Sequence, residues 1–177
     1  MKSFKVLSVL TAYPSLAMVE AIPAMRQVLE AEGLLAAPAR RLIEPLLADL
    51  AGGDIMDLQE RYVFLFDRTR SLSLHLFEHV HGESRDRGQA MVDLKQLYEG
   101  AGFALNTSEL PDYIPAFLEY LSLRPADEAV SFLGETVHIL ITLAERLEKR
   151  SSPYAGLFRA MVALSKAKPK PEDMAAI

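Results

Sequence analysis

The sequence contains no cysteine. Disulfides, thiolate metal sites and sulfur nucleophiles are therefore excluded, and a reducing compartment is permitted. Long apolar runs are missing as well: no stretch approaches the ~18 residues that cross a bilayer. The opening MKSFKVLSVLTAYPSL begins like a secretory signal, with lysines ahead of apolar residues. Its apolar stretch is short, is interrupted by Ser8 and Thr11, and runs into Tyr13-Pro14 without a small-x-small cleavage site. We read it as a first helix packed on the core, and expect a soluble, cytoplasmic protein with no integral membrane segment. Positive charge is not in excess either, with 19 Lys and Arg against 24 Asp and Glu. A net charge of -5 gives no reason to expect nucleic acid, which needs a basic surface. No glycine-rich phosphate loop appears, because Gly52-Gly53 lacks the following lysine and hydroxyl residue. No nucleophile elbow appears.

What is present is a chain of 177 residues, 50% apolar and 24% charged. That suits one folded domain with its own core. Apolar residues recur at three- and four-residue spacings, and nothing reads as strand. Pro38 suits the first turn of a helix through Leu42, Leu46 and Leu47 that Gly52-Gly53 end. Asp54 is placed to cap the next, which runs through Leu58, Tyr62, Leu65 and Phe66. Further helices are expected over 72–80 and from Ser84 or Arg85 to Tyr98. Ser108 is placed to cap another with Pro111 in its first turn, bent or restarted at Pro115. Pro125 opens a long helix through Leu147, and Ser152-Pro153 a last one through Leu164. The expected fold is all-α: one bundle of about nine helices over residues 1–165, followed by a lysine- and proline-bearing tail, 166–177, expected to be disordered.

Three segments stand out. In Tyr62-Val63-Phe64-Leu65-Phe66 the helix is apolar on every face for more than a turn. Such a helix is either a central core element or partly the floor of a groove for an amphipathic peptide. The charges after it (Asp67, Arg68, Arg70, Glu78, Glu83, Arg85, Asp86, Arg87) make either a solvated surface or the rim of a cleft. His75-Leu76-Phe77-Glu78-His79, with His81 close by, has the H-x-x-E-H pattern. On one helical face, two histidines at i and i+4 can hold zinc while the glutamate activates a bound water. A zinc-dependent hydrolase is thus the rival reading, although no third ligand is identifiable; local packing of these histidines is the plainer one. Lastly, Glu109-Leu110-Pro111-Asp112-Tyr113-Ile114-Pro115 sets two carboxylates near a helix amino terminus, where unpaired backbone N–H groups stabilise them. The same carboxylates beside Tyr113 would also anchor an arginine or a basic peptide.

The block from Glu60 to Arg68 and the string SLHLFEHVHGESRDRGQAM that follows it closely resemble the NarJ family, the molybdenum-cofactor assembly chaperones of respiratory nitrate reductase. Glu109-Leu110-Pro111-Asp112-Tyr113 followed by Pro115 fits the same family, and the resemblance spans most of the chain. The wider redox-enzyme maturation group shares an aromatic-x-x-Leu-Phe helix, matched by Tyr62, Leu65 and Phe66. It also shares a Glu-x-Pro-x-Asp-His motif, matched with altered spacing by Glu109, Pro111 and Asp112, with Tyr113 where those relatives carry histidine. The resemblance implies a non-catalytic chaperone, carrying no cofactor itself. Such a protein binds the apo catalytic (alpha) subunit of nitrate reductase, mainly by its amino-terminal segment, until molybdenum cofactor is inserted. Molybdenum-cofactor biosynthesis proteins would be further partners. The residues expected to meet the client peptide are Tyr62, Phe66, His75, Glu78, His79, Arg85, Glu109, Asp112 and Tyr113.

Overall fold

Helix starts and stops follow local chemistry. The Ser15 hydroxyl accepts the Met18 N–H at the head of the second helix, and Gly33 closes that helix in the left-handed region at φ 62°. The Asp54 carboxylate accepts the N–H groups of Met56 and Asp57 at 2.9 and 3.4 Å. The computed structural model describes residues 1–80, 85–105 and 108–165. His81, the turn expected at Gly82 and the tail from 166 lie outside them.

Ten α-helices occur among the described residues: α1 (Lys2–Thr11), α2 (Leu16–Glu32), α3 (Ala37–Gly52), α4 (Ile55–Tyr62), α5 (Leu76–Val80), α6 (Asp86–Gly100), α7 (Ile114–Ser122), α8 (Ala126–Glu135), α9 (Val137–Glu148) and α10 (Tyr154–Ser165). A π-helical turn (Val63–Asp67) prolongs α4, and a 3-10 turn (Arg70–Leu72) follows. One contiguous apolar core runs from Phe4 to Leu164. No helix is long and apolar enough to cross a membrane among the described residues.

The opening helix is central. Seven of its ten residues are buried, and the hydroxyls of Ser8 and Thr11 are satisfied across the interface and locally, while that of Ser3 has no partner among the described residues. Ser8 Oγ donates to the Pro115 carbonyl at 2.8 Å, and Thr11 Oγ1 donates to the Leu7 carbonyl at 3.0 Å. The ends of α1 fix its direction relative to its neighbours. Glu32, at the end of α2, accepts the Ser3 N–H at 2.5 Å, and Met1, capping α1, and Ser8 within it meet Ser122 and Pro115 of α7. Both α2 and α7 therefore flank α1 antiparallel to it.

Three sequence expectations change. The helix expected over 72–80 is shortened to α5, because 74–76 pairs as extended backbone with 112–114. The helix expected from Ser108 begins only at Ile114, since its first residues are drawn into that pairing and Pro111 has no N–H to donate. The long helix expected from Pro125 to Leu147 divides at Thr136, whose hydroxyl donates to the Leu133 carbonyl at 2.9 Å beside the weak helix former Gly134. Pro23 and Pro45, by contrast, sit inside α2 and α3 on exposed positions without ending them.

Candidate functional site

Two short extended pieces are clasped together. Leu76 N–H donates to the Asp112 carbonyl at 3.0 Å and Ile114 N–H to the Leu74 carbonyl at 2.8 Å, forming a two-residue antiparallel bridge between His75 and Tyr113. The Asp112 side chain is fully buried beneath it. One of its oxygens lies 3.2 Å from His75 Nδ1, and the other accepts the Phe77 N–H at 3.0 Å. The hydrogen bond to Asp112 holds the His75 pKa above its ordinary value, against the partial burial that pulls it down.

Behind the clasp lies an aromatic cluster. The Tyr62 hydroxyl donates to the Thr11 carbonyl at 2.8 Å and lies 3.3 Å from the Tyr113 hydroxyl. With its single proton committed to Thr11, Tyr62 is left to accept from Tyr113. Burial raises the Tyr62 pKa far above the usual phenol range, with Tyr113 adding to the effect. Tyr13 packs edge-on against Tyr62 at 5.6 Å, and Phe66 sits between Tyr62 and Tyr154 at 4.9 and 5.1 Å. The Tyr62–Phe66 segment is thus mainly core. Phe64 alone is turned out by the π turn, 62% exposed.

The zinc-type geometry expected of H-x-x-E-H is not formed. Helix α5 begins at Leu76, so His75 lies outside it and the two histidines do not share a helical face. His75 Nδ1 turns to Asp112, while His79 Nε2 lies 2.8 Å from the Ser73 carbonyl. Glu78 pairs with Arg87 at 3.3 Å. Its pKa lies below the ordinary value: desolvation acts upward, but the Ser73 hydrogen bond and the charges of Arg87 and His75 outweigh it. Among the described residues no three His, Asp or Glu side chains converge as a metal site would require. Arg85 stands exposed at the head of α6.

The principal concave surface is elsewhere. A trough runs over the outer face of α1, walled by α2 on one side and by α7 on the other. One half, about 510 Å³, is floored by Ser8, Val9 and Ala12, walled by Met18 and Ala21, and closed by Tyr13, Glu109 and Tyr113. The other half, about 800 Å³, opens past Lys2, Val28, Glu32 and Leu123. Lys5 and Glu119 line both halves and form an ion pair with each other, so the pair stands where the halves meet.

Of the nine residues expected at the site, Glu109 and Tyr113 line the trough, and Tyr62, His75 and Asp112 hold Tyr113 from behind. Phe66, Glu78, His79 and Arg85 do not line it. The sequence reading did not single out the residues of the floor or of the α2 wall. The small and apolar residues of α1 and α2 carry no motif, and only the unfilled outer face of an otherwise buried helix marks them.

The description "Nitrate reductase delta subunit" belongs to the family whose model matches residues 19–160. Over 160 residues the chain is 45% identical to the nitrate reductase molybdenum cofactor assembly chaperone NarJ of Escherichia coli (strain K12), covering 90% of this chain and 68% of that one. It is 29% identical over 151 residues to the nitrate reductase-like protein NarX of Mycobacterium tuberculosis (strain ATCC 25618 / H37Rv), covering 84% of this chain and 22% of the relative. A crystal structure from Archaeoglobus fulgidus, described as a candidate redox enzyme maturation protein, superposes with a TM-score of 0.67. It covers 94% of both chains at 23% identity, a likeness of fold. The chain belongs to the nitrate reductase delta subunit family.

Proposed function

We propose that this chain is a client-specific chaperone of respiratory nitrate reductase. It binds the apo catalytic subunit through that subunit's amino-terminal segment, and holds it while molybdenum cofactor is inserted. It acts by binding and not by catalysis, in the cytoplasm, with the catalytic subunit and the molybdenum-cofactor biosynthesis proteins as its partners. Family membership supports the role, and the trough over α1 is the observation that carries the mode of binding. A helix laid between two parallel helices and above a third buries its apolar face as in a four-helix bundle. Tyr113 and Glu109 close one end of the trough and contact the peptide there. Tyr62, His75 and Asp112 act as positioning residues for Tyr113.

The test is calorimetric titration of the chain with a synthetic peptide carrying the amino-terminal segment of a nitrate reductase catalytic subunit. We expect a Kd on the order of 1 μM, tight enough for capture and weak enough for release. Tyr113→Ala should weaken it about tenfold, the loss expected of one well-packed aromatic contact. A silent titration up to roughly millimolar peptide would sink the reading.

A further inference from the structure

The two halves of the trough are unlike in charge. The half that ends at Tyr113 carries the carboxylates of Glu109 and Glu119 against one cation, Lys5. Glu109 is exposed there, and no cation among the described residues is paired with it. In the other half, which shares Lys5 and Glu119, Glu32 is already engaged by the backbone N–H groups of Lys2 and Ser3 at 2.9 and 2.5 Å, and Lys2 lines the same space. The trough is therefore acidic towards Tyr113 and more basic towards Lys2.

Across its middle lies the ion pair of Lys5 on α1 and Glu119 on α7, with the two side chains 51% and 43% exposed. Ser8 ties floor to wall within one half and Met1 within the other, and the Lys5–Glu119 pair stands between them. A helix long enough to use both halves meets this pair. Helix α1 alone, at 1.5 Å per residue, makes the trough roughly 15 Å long.

We propose that the Lys5–Glu119 ion pair is a strap from the floor of the trough to its α7 wall, and that the ligand is an amphipathic helix whose own lysine or arginine takes Glu119 from Lys5. The occupant lies with its cationic, amino-terminal end towards Glu109 and Tyr113. There both its positive charge and the positive end of its helix dipole meet carboxylates. Its apolar face rests on Val9, Ala12 and Ala21. An exposed pair of this kind contributes little to folding, so it can be exchanged during binding. It nevertheless selects, because a peptide without the cation leaves Glu119 held by Lys5 and gains no charge contact at the middle of the trough. This inference rests on the chaperone reading and assigns the specificity of the same surface.

The same peptide titration tests it, with Lys5→Met, which keeps the apolar stem and removes the charge, and with Glu119→Gln. Lys5→Met should lower the Kd about three- to fivefold, the range of one exposed ion pair. Glu119→Gln should raise it by a similar factor. Replacing the peptide's basic residues by glutamine should weaken binding to the unaltered chain but much less to Glu119→Gln. Ala21→Phe fills the trough away from the ion pair and should abolish binding, with circular dichroism and the melting temperature verifying the fold. Unchanged or weaker binding by Lys5→Met, or an unaltered Kd in Ala21→Phe, overturns the strap while leaving a peptide-binding chaperone in place. A silent unaltered chain removes both.

Discussion

Asp112 shows how one residue can organise a site it does not line. Its buried carboxylate accepts from the Phe77 backbone and engages His75, tying the 73–77 segment to the loop that presents Tyr113. Asp112→Ala should cost about 1–3 kcal/mol, since it removes the acceptor of the half-buried Phe77 N–H and the partner of His75; chemical denaturation measures this. His75 supplies the accompanying pH signature. Its pKa is raised in the folded state by the Asp112 hydrogen bond. Its stabilisation is therefore complete below the unfolded value of about 6.5, and fades as the pH climbs through the folded value. The stability lost in His75→Gln should accordingly be larger near pH 5 than near pH 9. Equal losses at both would place the imidazole outside the clasp. Sequence reasoning picked both residues as peptide contacts; their contact with each other depends on a pairing between segments 37 residues apart.

At the scale of elements, the helices were legible wherever caps and apolar spacing agreed. Asp54 capping α4 and Gly52-Gly53 ending α3 are cases in which backbone hydrogen bonding is decided within a few residues. They were illegible where a distant partner competed, as in 72–76 and 108–113, or where side-chain hydroxyls rerouted the backbone at Thr136. Gly156 marks a close approach of α10 to α3. A Cβ built there would stand 1.9 Å from the Leu42 carbonyl oxygen, so α10 rests directly on the α3 backbone. In an isolated helix Gly→Ala is stabilising by about 1 kcal/mol. Here the sign should reverse. Gly156→Ala should destabilise by about 1–3 kcal/mol or more, through overpacking, visible as a lower urea midpoint. A midpoint at or above that of the unaltered chain would contradict the packing of α10 on α3.

For the whole molecule, one core joins the first helix to the last, and the trough is the part of that arrangement left open. Filling it should act on the entire fold. Peptide at about one hundred times its Kd should add about 2.7 kcal/mol to the unfolding free energy, by linkage, and raise the melting temperature in a concentration-dependent way. A melting temperature indifferent to saturating peptide would mean that the peptide binds folded and unfolded chain alike.

The all-α class followed from the sequence alone, because apolar periodicity and helix punctuation are local properties of the chain. The family likeness was legible in the same way, in the string around His75 and in the Glu109–Pro115 segment. Local patterns carry no information on which helix faces remain uncovered. Only tertiary packing decided that α1, expected as a buried first helix, keeps one face open between α2 and α7. The same packing turned the H-x-x-E-H pattern away from a metal geometry, because His75 leaves the helix to pair with Asp112. Burial and pairing are settled between segments distant in sequence, so the open trough over α1 is a product of the fold.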